Sequence, residues 1–400
     1  VSILRDLFGA SSQTSDPGPW GVGMVRGWRG FGPGEAVDTD QAMRLSAVFA
    51  CLRLLSEAIS TMPLDTYIRA NGARMPYRPK PEYLAFQPPQ HSRIEYLSQV
   101  MLSLLTAGNA FVATPRDDMG VPLTLVVIDP DKVKVNRNSR GEISYRIGEN
   151  DYSELDVMHI KGMTLPGRTL GLSPLGYACE TVDLGLSAQR YGAAFFANGA
   201  VPGAVIEAPN DFSQPAAERF QAMWNSRHQG VSNAARVGVL VNGARLNKVS
   251  INPDEAQFLE TRQFQVPDVA RVFGVPPHLI ADASNSTSWG SGLAEQNLAF
   301  GQFSLRPWVD RIEDAHGRLL TTHGLSQVFV KLNMDALLRA GTTERYTAHQ
   351  IGLDAGFLTV DEVRRLEDLP PLGGAATLPK PPAAPPSMPP MQVAPPKGTP

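Results

Sequence analysis

Catalysis needs reactive residue types at set spacings, so the glycine–serine turns, glycine-rich runs, histidines and cysteines are read first. Residues 171–176 (GLSPLG) approach the G-x-S-x-G nucleophile elbow, but Leu175 stands where the last glycine is required. Pro174, directly after the serine, suits a helix start better than a strained strand-to-helix turn. Gly21 and Gly23 begin a dinucleotide fingerprint whose third glycine, Gly27, falls one place late, with no strand before it. No G-x-x-x-x-G-K-S/T phosphate loop occurs. His159 lies in the apolar run DVMHIK and reads as a core or boundary histidine rather than a ligand. His228, His278, His316, His323 and His349 show no metal spacing, and H-E-x-x-H is absent. Cys51 and Cys179 are the only cysteines, and each sits in a helical pattern. They read as small core residues of a reducing compartment, not as a disulfide framework. Carboxylates are scattered over helix starts and surfaces. The expectation is no catalytic residue, no metal and no cofactor, which points to an architectural function.

The elements that would position any site come next. The chain has 400 residues, 42% hydrophobic, enough for two or three domains with real cores. Gly 36 and Pro 34 concentrate toward the two ends. Net charge is −3, whereas proteins that grip nucleic acid through phosphates usually carry a basic excess. The start (VSILRDLFGASS) lacks the apolar run of a signal peptide. No apolar stretch approaches the roughly 20 residues of a membrane span, so the chain reads as soluble and intracellular when made, with no membrane partner.

Residues 1–38 read as a flexible, glycine-dense arm. Thr39 is a candidate cap for a helix carrying Leu45, Val48, Phe49, Leu52, Leu55 and Ile59 at helical spacing. Asn71-Gly72 between LDTYIR and ARMPY predicts a hairpin. A helix from about Arg93 to Thr106 should stop at Gly108-Asn109. Strands AFVATPR, TLVVID, KVKV, ISYRI and DVMHIK follow, with turns at Asp117-Asp118-Gly120 and Asn138–Gly141. Residues 39–171 therefore read as one α+β domain. Ser173-Pro174 opens a helix that should stop at Asn198-Gly199. It is rich in small residues: Gly176, Ala178, Gly185, Ala188, Gly192, Ala193 and Ala194. Two readings stand equally: ordinary packing inside one subunit, or close contact with the next subunit of a ring. Residues 200–251 form an α/β insert with a hairpin at Asn242-Gly243. Asn252, Pro253 and Glu255 then start a helix over 252–274 that ends at Gly274 and Pro276-Pro277. A polar loop, ADASNSTSWGSG, separates it from a second long helix, about Leu293 to Leu320. VFVKLN is a strand returning to the first domain. Thr359 and Glu362 form a capping box, and the tail from Ala375 is proline-rich and disordered.

The order of these segments resembles the portal proteins of tailed bacteriophages of the siphovirus type, including those of gene transfer agents. LSAVFACLRLLSEAISTMPLDTY resembles the family's opening helix and first wing strand. DVMHIKGMTLPGRTLGLSPLGYA resembles the passage from wing to stem, and AAFFANGAVPGAVIEA the crossing into the clip. DEAQFLETRQFQVPDVARVFGVPPHLI resembles the second stem helix, LAEQNLAFGQFSLRPWVDRIEDAHGRLL the tunnel helix, and GFLTVDEVRRLEDLPPLGG the crown. The resemblance covers residues 40–374 in order. One residue departs from it: Pro267 stands where the family usually has a polar or acidic helix former. Either the second stem helix bends there, or a new short helix begins.

The resemblance implies an α+β portal fold: wing 39–171, stem helix 172–199, clip 200–251, second stem helix 252–274, tunnel loop 275–292, tunnel helix 293–324, return to the wing 325–340, crown 341–374 and a disordered tail 375–400. It implies a dodecameric homo-oligomeric ring at one capsid vertex, at the head–tail junction of a virion assembled in the host cytoplasm. Double-stranded DNA passes through its channel. The terminase large subunit docks first, a head–tail adaptor afterwards, and the major capsid protein surrounds the wing. Asn285, Ser286, Thr287, Ser288 and Trp289 become candidate channel residues, with Trp289 either wedging against DNA or anchoring the loop. Arg190, Arg262, Arg236, Arg245 and Lys248 become candidate phosphate contacts on stem and clip, or else solvated or salt-bridged side chains. A near-neutral lining would let DNA slide. The rival readings are a head–tail adaptor or minor capsid protein, a phage enzyme, and a plain DNA-binding protein.

Overall fold

The computed structural model describes residues 39–70, 72–86, 91–197, 204–207, 215, 218–219, 245–248, 254–282, 291–334, 342–367, 369–374 and 378. The N-terminal arm, the Asn198-Gly199 stop, the Asn242-Gly243 hairpin, the Asn252 cap, the loop 283–290 and the tail beyond 378 lie outside them. The chain divides into two compact units, one ending at Met334 and one beginning at Asp335.

The first unit opens with α1 (Thr39–Met43) and α2 (Ser46–Ser60). One helix capped by Thr39 was expected. Instead Thr39 is the first residue of a short separate helix, and Leu45, extended at φ −77° and ψ 114°, breaks the path before α2. The Val48, Leu52, Leu55 and Ile59 face of α2 is fully buried. Strands β1 (Leu64–Ala70) and β2 (Ala73–Pro76) form the hairpin turned at Gly72, where φ is +78°. The helical turn α3 (Glu82–Ala85) precedes α4 (Arg93–Ala107). Ser92 caps α4 by accepting from the Glu95 N–H, and Gly108 at φ +72° closes it. That is the left-handed stop a glycine permits.

Strands β3 (Asn109–Ala113), β4 (Val126–Ile128), β5 (Val133–Arg137), β6 (Ile143–Ile147), β7 (Asn150–Tyr152) and β8 (Val157–Lys161) build two antiparallel sheets, ordered β4-β3-β8 and β5-β6-β7. The short β7, after the Gly148 turn, was not anticipated. Between the sheets lies a small core of Phe111, Ile128, Val133, Tyr145, Ile147, Tyr152 and Val157. Helices α5 (Pro174–Tyr177) and α6 (Cys179–Ala197) follow. Strands β9 (Ala204–Glu207) and β10 (Arg245–Lys248) pair antiparallel, Glu207 opposite Arg245. Helix α7 (Asp254–Phe273) runs without a break through Pro267, so no new helix starts there.

The second long helix is three pieces: α8 (Ser291–Ala299), a π-helical stretch over Phe300–Leu305, and α9 (Arg306–Thr322). A continuous α-helix from Leu293 to Leu320 was expected. Pro307 has no N–H to offer the ladder at this point, and the Ser304 hydroxyl reaches out of the stretch to donate to the Gly274 carbonyl at 2.5 Å. Strand β11 (Val328–Leu332) pairs antiparallel with β1, Leu64 opposite Leu332. The chain thus returns to its first domain, and α9 packs on β11 and β8. Buried Glu313 of α9 accepts from the Leu332 N–H at 2.8 Å and pairs with Lys331, which ties helix to strand. The α2, α4, α6, α7 and α9 faces share the main core.

The second unit holds α10 (Thr342–Asp354) and α11 (Val360–Leu366). Thr359 and Glu362 make the reciprocal capping box. Glu367 pairs with Arg345 at 2.7 Å and with His349 at 3.1 Å.

Candidate channel elements

A helix pair and its two junctions would position any channel. Helices α6 and α7 pack against each other through polar groups. Buried Gln265 lies against Gly185, where a Cβ would overlap its side-chain amide, and it donates to the Thr181 carbonyl at 3.3 Å. The Thr181 hydroxyl donates to Asp268 at 3.3 Å, and Asp268 also pairs with Arg271. At least one small residue of α6 thus serves packing within the subunit. Another face of the same helical path stays open: Tyr177, Leu184 and Tyr191, seven residues apart and so nearly in line, are each exposed by 60% or more. Phe264 on α7 and Phe303 on the π-helical stretch are exposed too. Contiguous exposed apolar side chains mark contact surfaces.

The lower junction is Gly274 at φ +67°, followed by Pro276, Pro277 and a 3₁₀ turn over Pro277–Ile280. Ser304 reaches across to it from the π-helical stretch, and His278 bonds Asn297 at 3.2 Å.

The upper junction, where the chain leaves the sheets for α5 and α6, is a knot of three glycines. The Gly162 N–H donates to the Gly108 carbonyl at 2.8 Å. A Cβ on Gly108 or Gly171 would overlap backbone atoms of the opposing strands. Asn109 is held at its centre. Its Oδ1 accepts from the Gly171 N–H at 2.7 Å and from His159 Nε2 at 3.0 Å. Its amide donates to the Ala107 and Gly171 carbonyls. Ser173 caps α5 and donates to the Thr106 carbonyl. His159 is therefore neutral with its proton on Nε2, while Nδ1 faces the Tyr145 hydroxyl at 3.4 Å. Burial, then Lys161 and Arg318, push its pKa down to about 3. His316 is the parallel case: Nδ1–H donates to the Ile312 carbonyl at 2.7 Å, Nε2 accepts from Tyr96, and burial lowers its pKa to about 4. Both are structural core histidines. Cys51 is fully buried and its thiol is pushed up to about 12 by burial, so it is inert; Cys179 is only half-buried.

Of the candidate DNA contacts, Arg190 is on α6 and exposed. Helix α7 carries Arg262, and β10 carries Arg245 and Lys248; their side chains lie outside the described residues. Arg236 and the loop residues Asn285, Ser286, Thr287, Ser288 and Trp289 lie outside them as well. Among these candidates only the Arg190 side chain lies within the described residues. Among the described residues no group of His, Cys, Asp or Glu could hold a metal ion, and no helix is long and apolar enough to cross a membrane. What sequence reasoning missed is the Gly108–Gly162–Gly171 knot. Its signal, Gly108 closing α4, Gly162 after DVMHIK and Gly171 opening GLSP, is visible only once Asn109 is known to face Gly171.

Comparisons with known proteins bear on the whole chain. The family model described as "Phage portal protein" matches residues 46–368. A "Probable portal protein" of Streptomyces phage phiC31 is 46% identical over 374 residues, covering 89% of this chain and 80% of its own. Among solved structures, a chain from the neck of an empty gene transfer agent particle, computed with C6 symmetry, superposes with a TM-score of 0.61 at 26% identity, covering 83% of this chain and 94% of that one. A chain from the neck of the native particle, computed with C12 symmetry, gives a TM-score of 0.58 at 25% identity, covering 82% and 92%. With its α+β fold, its paired helices and this coverage, the chain belongs to the phage portal protein family.

Proposed function

We propose that this chain is the subunit of a ring of twelve that occupies one vertex of a phage-like head and forms the passage for double-stranded DNA during packaging and ejection. The family match over 46–368 carries this reading. The C6 and C12 symmetry of the related necks supports a closed ring. The exposed Tyr177, Leu184 and Tyr191 line supports it from this chain's own residues. A ring interface is head-to-tail: one face of each copy meets a different face of the next, which would cover these side chains.

In this reading 39–171 is the wing, joined by β11 within 325–340. Residues 172–199 and 252–274 are the stem helices, and 200–251 is the clip. Residues 275–292 are the tunnel loop, 293–324 the tunnel helix and 341–374 the crown. The terminase large subunit and later the head–tail adaptor dock on the clip, and the major capsid protein surrounds the wing. The ring carries no chemistry of its own; the ATPase belongs to the terminase. Asn285 to Trp289 approach DNA as uncharged contacts. Arg190, Arg262, Arg236, Arg245 and Lys248 supply weak phosphate contacts.

Immunogold labelling of particles with antibody against this chain tests the placement. One labelled vertex per head, at the tail, is the expected pattern. Label spread over the shell or along the tail would contradict it.

A further inference from the structure

The sheet ordered β11-β1-β2 gives one face to the core and the other to solvent. Leu64 and Thr66 of β1 and Val328, Val330 and Leu332 of β11 are buried. Strand alternation places Asp65, Tyr67 and Arg69, Phe329 and Lys331, and Arg74 and Pro76 on the opposite face. The register sets them in rows. Asp65 stands opposite Lys331, Tyr67 lies between Phe329 and Pro76, and Arg69 faces Arg74. Arg69, Arg74 and Pro76 are exposed, and Tyr67 and Phe329 are half-buried.

Charge is uneven along this face. From Thr61 to Glu82 and from Leu325 to Met334, the strands and their flanks hold Arg69, Arg74, Arg78, Lys80 and Lys331 against Asp65 and Glu82. At one end the charges are matched: Asp65 pairs with Arg78 at 3.6 Å, and Lys331 pairs with Glu313 of α9. At the other end they are not. Arg69 and Arg74 are directly opposite, like charges that repel across a sheet. Among the described residues no carboxylate pairs with either. Each lies over a ring instead. Arg74 is 4.7 Å from the Tyr67 centroid, and Arg69 is 6.0 Å from that of Phe329. The two rings are stacked at 6.1 Å. The rings steady the guanidinium groups without neutralising them.

We propose that this outer face is a docking surface for an acidic segment of a partner protein. Carboxylates of the segment would take the forked donors of Arg69 and Arg74, a geometry that suits bidentate pairing, and an apolar side chain beside them would cover Tyr67, Phe329 and Pro76. An aromatic centre edged by arginine is the composition of a protein contact. The backbone of a DNA duplex offers phosphates but no apolar side chain to cover the rings. The surface is read from this chain's own residues and does not rest on the portal reading.

A fluorophore-labelled random copolymer of glutamate and tyrosine is the probe, read by anisotropy against the purified full chain at low salt. Wild type is expected to bind it, and to bind it more tightly than polyglutamate of equal charge. Arg69→Gln with Arg74→Gln should weaken binding by about tenfold or more, the loss of two charge-assisted pairs. Arg44→Gln with Arg53→Gln removes the same charge from exposed residues off this face and should leave the affinity unchanged. Circular dichroism and sizing chromatography of both variants should match wild type. Four outcomes would overturn the proposal. They are no binding by wild type, an equal loss in the two double variants, displacement of the copolymer by duplex DNA at equal charge concentration, and a changed assembly state in the Arg69–Arg74 variant, which would assign the face to a second copy of this chain.

Discussion

Gly108→Ala is the sharpest probe of how the sheets are joined to the helix pair. Two costs add at this residue. Its φ is +72°, and a residue with a Cβ pays about 1–2 kcal/mol to hold a left-handed backbone. The new methyl would also overlap the Leu172 carbonyl and stand 2.7 Å from Ser173 N. Those are backbone atoms and cannot rotate away, so the segment 162–173 must shift. The shift breaks the Gly162–Gly108 bond, the Asn109–Gly171 bonds and the Ser173–Thr106 bond. At about 1 kcal/mol each, that is roughly 3–4 kcal/mol beyond the backbone term. Gly148→Ala is the matched control, with φ +61° but nothing within 4 Å of its would-be Cβ; it carries the backbone term alone. Hydrogen exchange of peptides spanning 162–173, read by mass spectrometry, measures local opening directly. In Gly108→Ala these amides should exchange about 10²–10³ times faster than in wild type, while Gly148→Ala leaves them at the wild-type rate. Wild-type exchange in Gly108→Ala would refute the claim that the knot is a rigid close-packed joint.

Other expectations follow from the same geometry. Leu184→Glu puts a charge into the exposed apolar line of α6 without touching the core, so it should abolish ring assembly in sizing chromatography while far-UV circular dichroism stays unchanged. His159 and His316 are neutral when folded, with pKa values of about 3 and about 4, but titrate near 6.5 when unfolded. Below pH 6.5 only the unfolded chain takes up these protons. Stability is therefore level above that pH and falls as acid is added down to about pH 4 and then 3. The loss is about 2 kcal/mol per histidine at pH 5, and His316→Gln should shrink it in a urea-midpoint series against pH. Pro267→Ala restores the N–H that α7 lacks and should raise the thermal midpoint, since a proline inside a helix costs about 3 kcal/mol.

Much of the fold was legible because it is local. The α4 stop at Gly108, the hairpin at Gly72 and the Thr359–Glu362 box each depend on residues within one turn of each other. Periodicity marked the buried face of α2. The missed features depend on partners far along the chain. The π-helical stretch hides in a helical pattern, because Phe300, Ser304 and Leu305 keep helical spacing; only the reach of Ser304 to Gly274 reveals it. Gly171 looks like part of a turn until Asn109, on another strand, is seen to hold it. The candidate DNA contacts were the least legible. An arginine on a long helix, such as Arg190 on α6, has the same local sequence signature whether it faces a bore, a neighbour or solvent.

The central claim is that this chain works as one of many copies around a hole. Electron microscopy of the purified protein, viewed end-on, tests it most directly. The account predicts closed rings with twelvefold symmetry and an open centre, at twelve times the 43.2 kDa mass of one chain. A population of single compact subunits at every salt and protein concentration tried would contradict it.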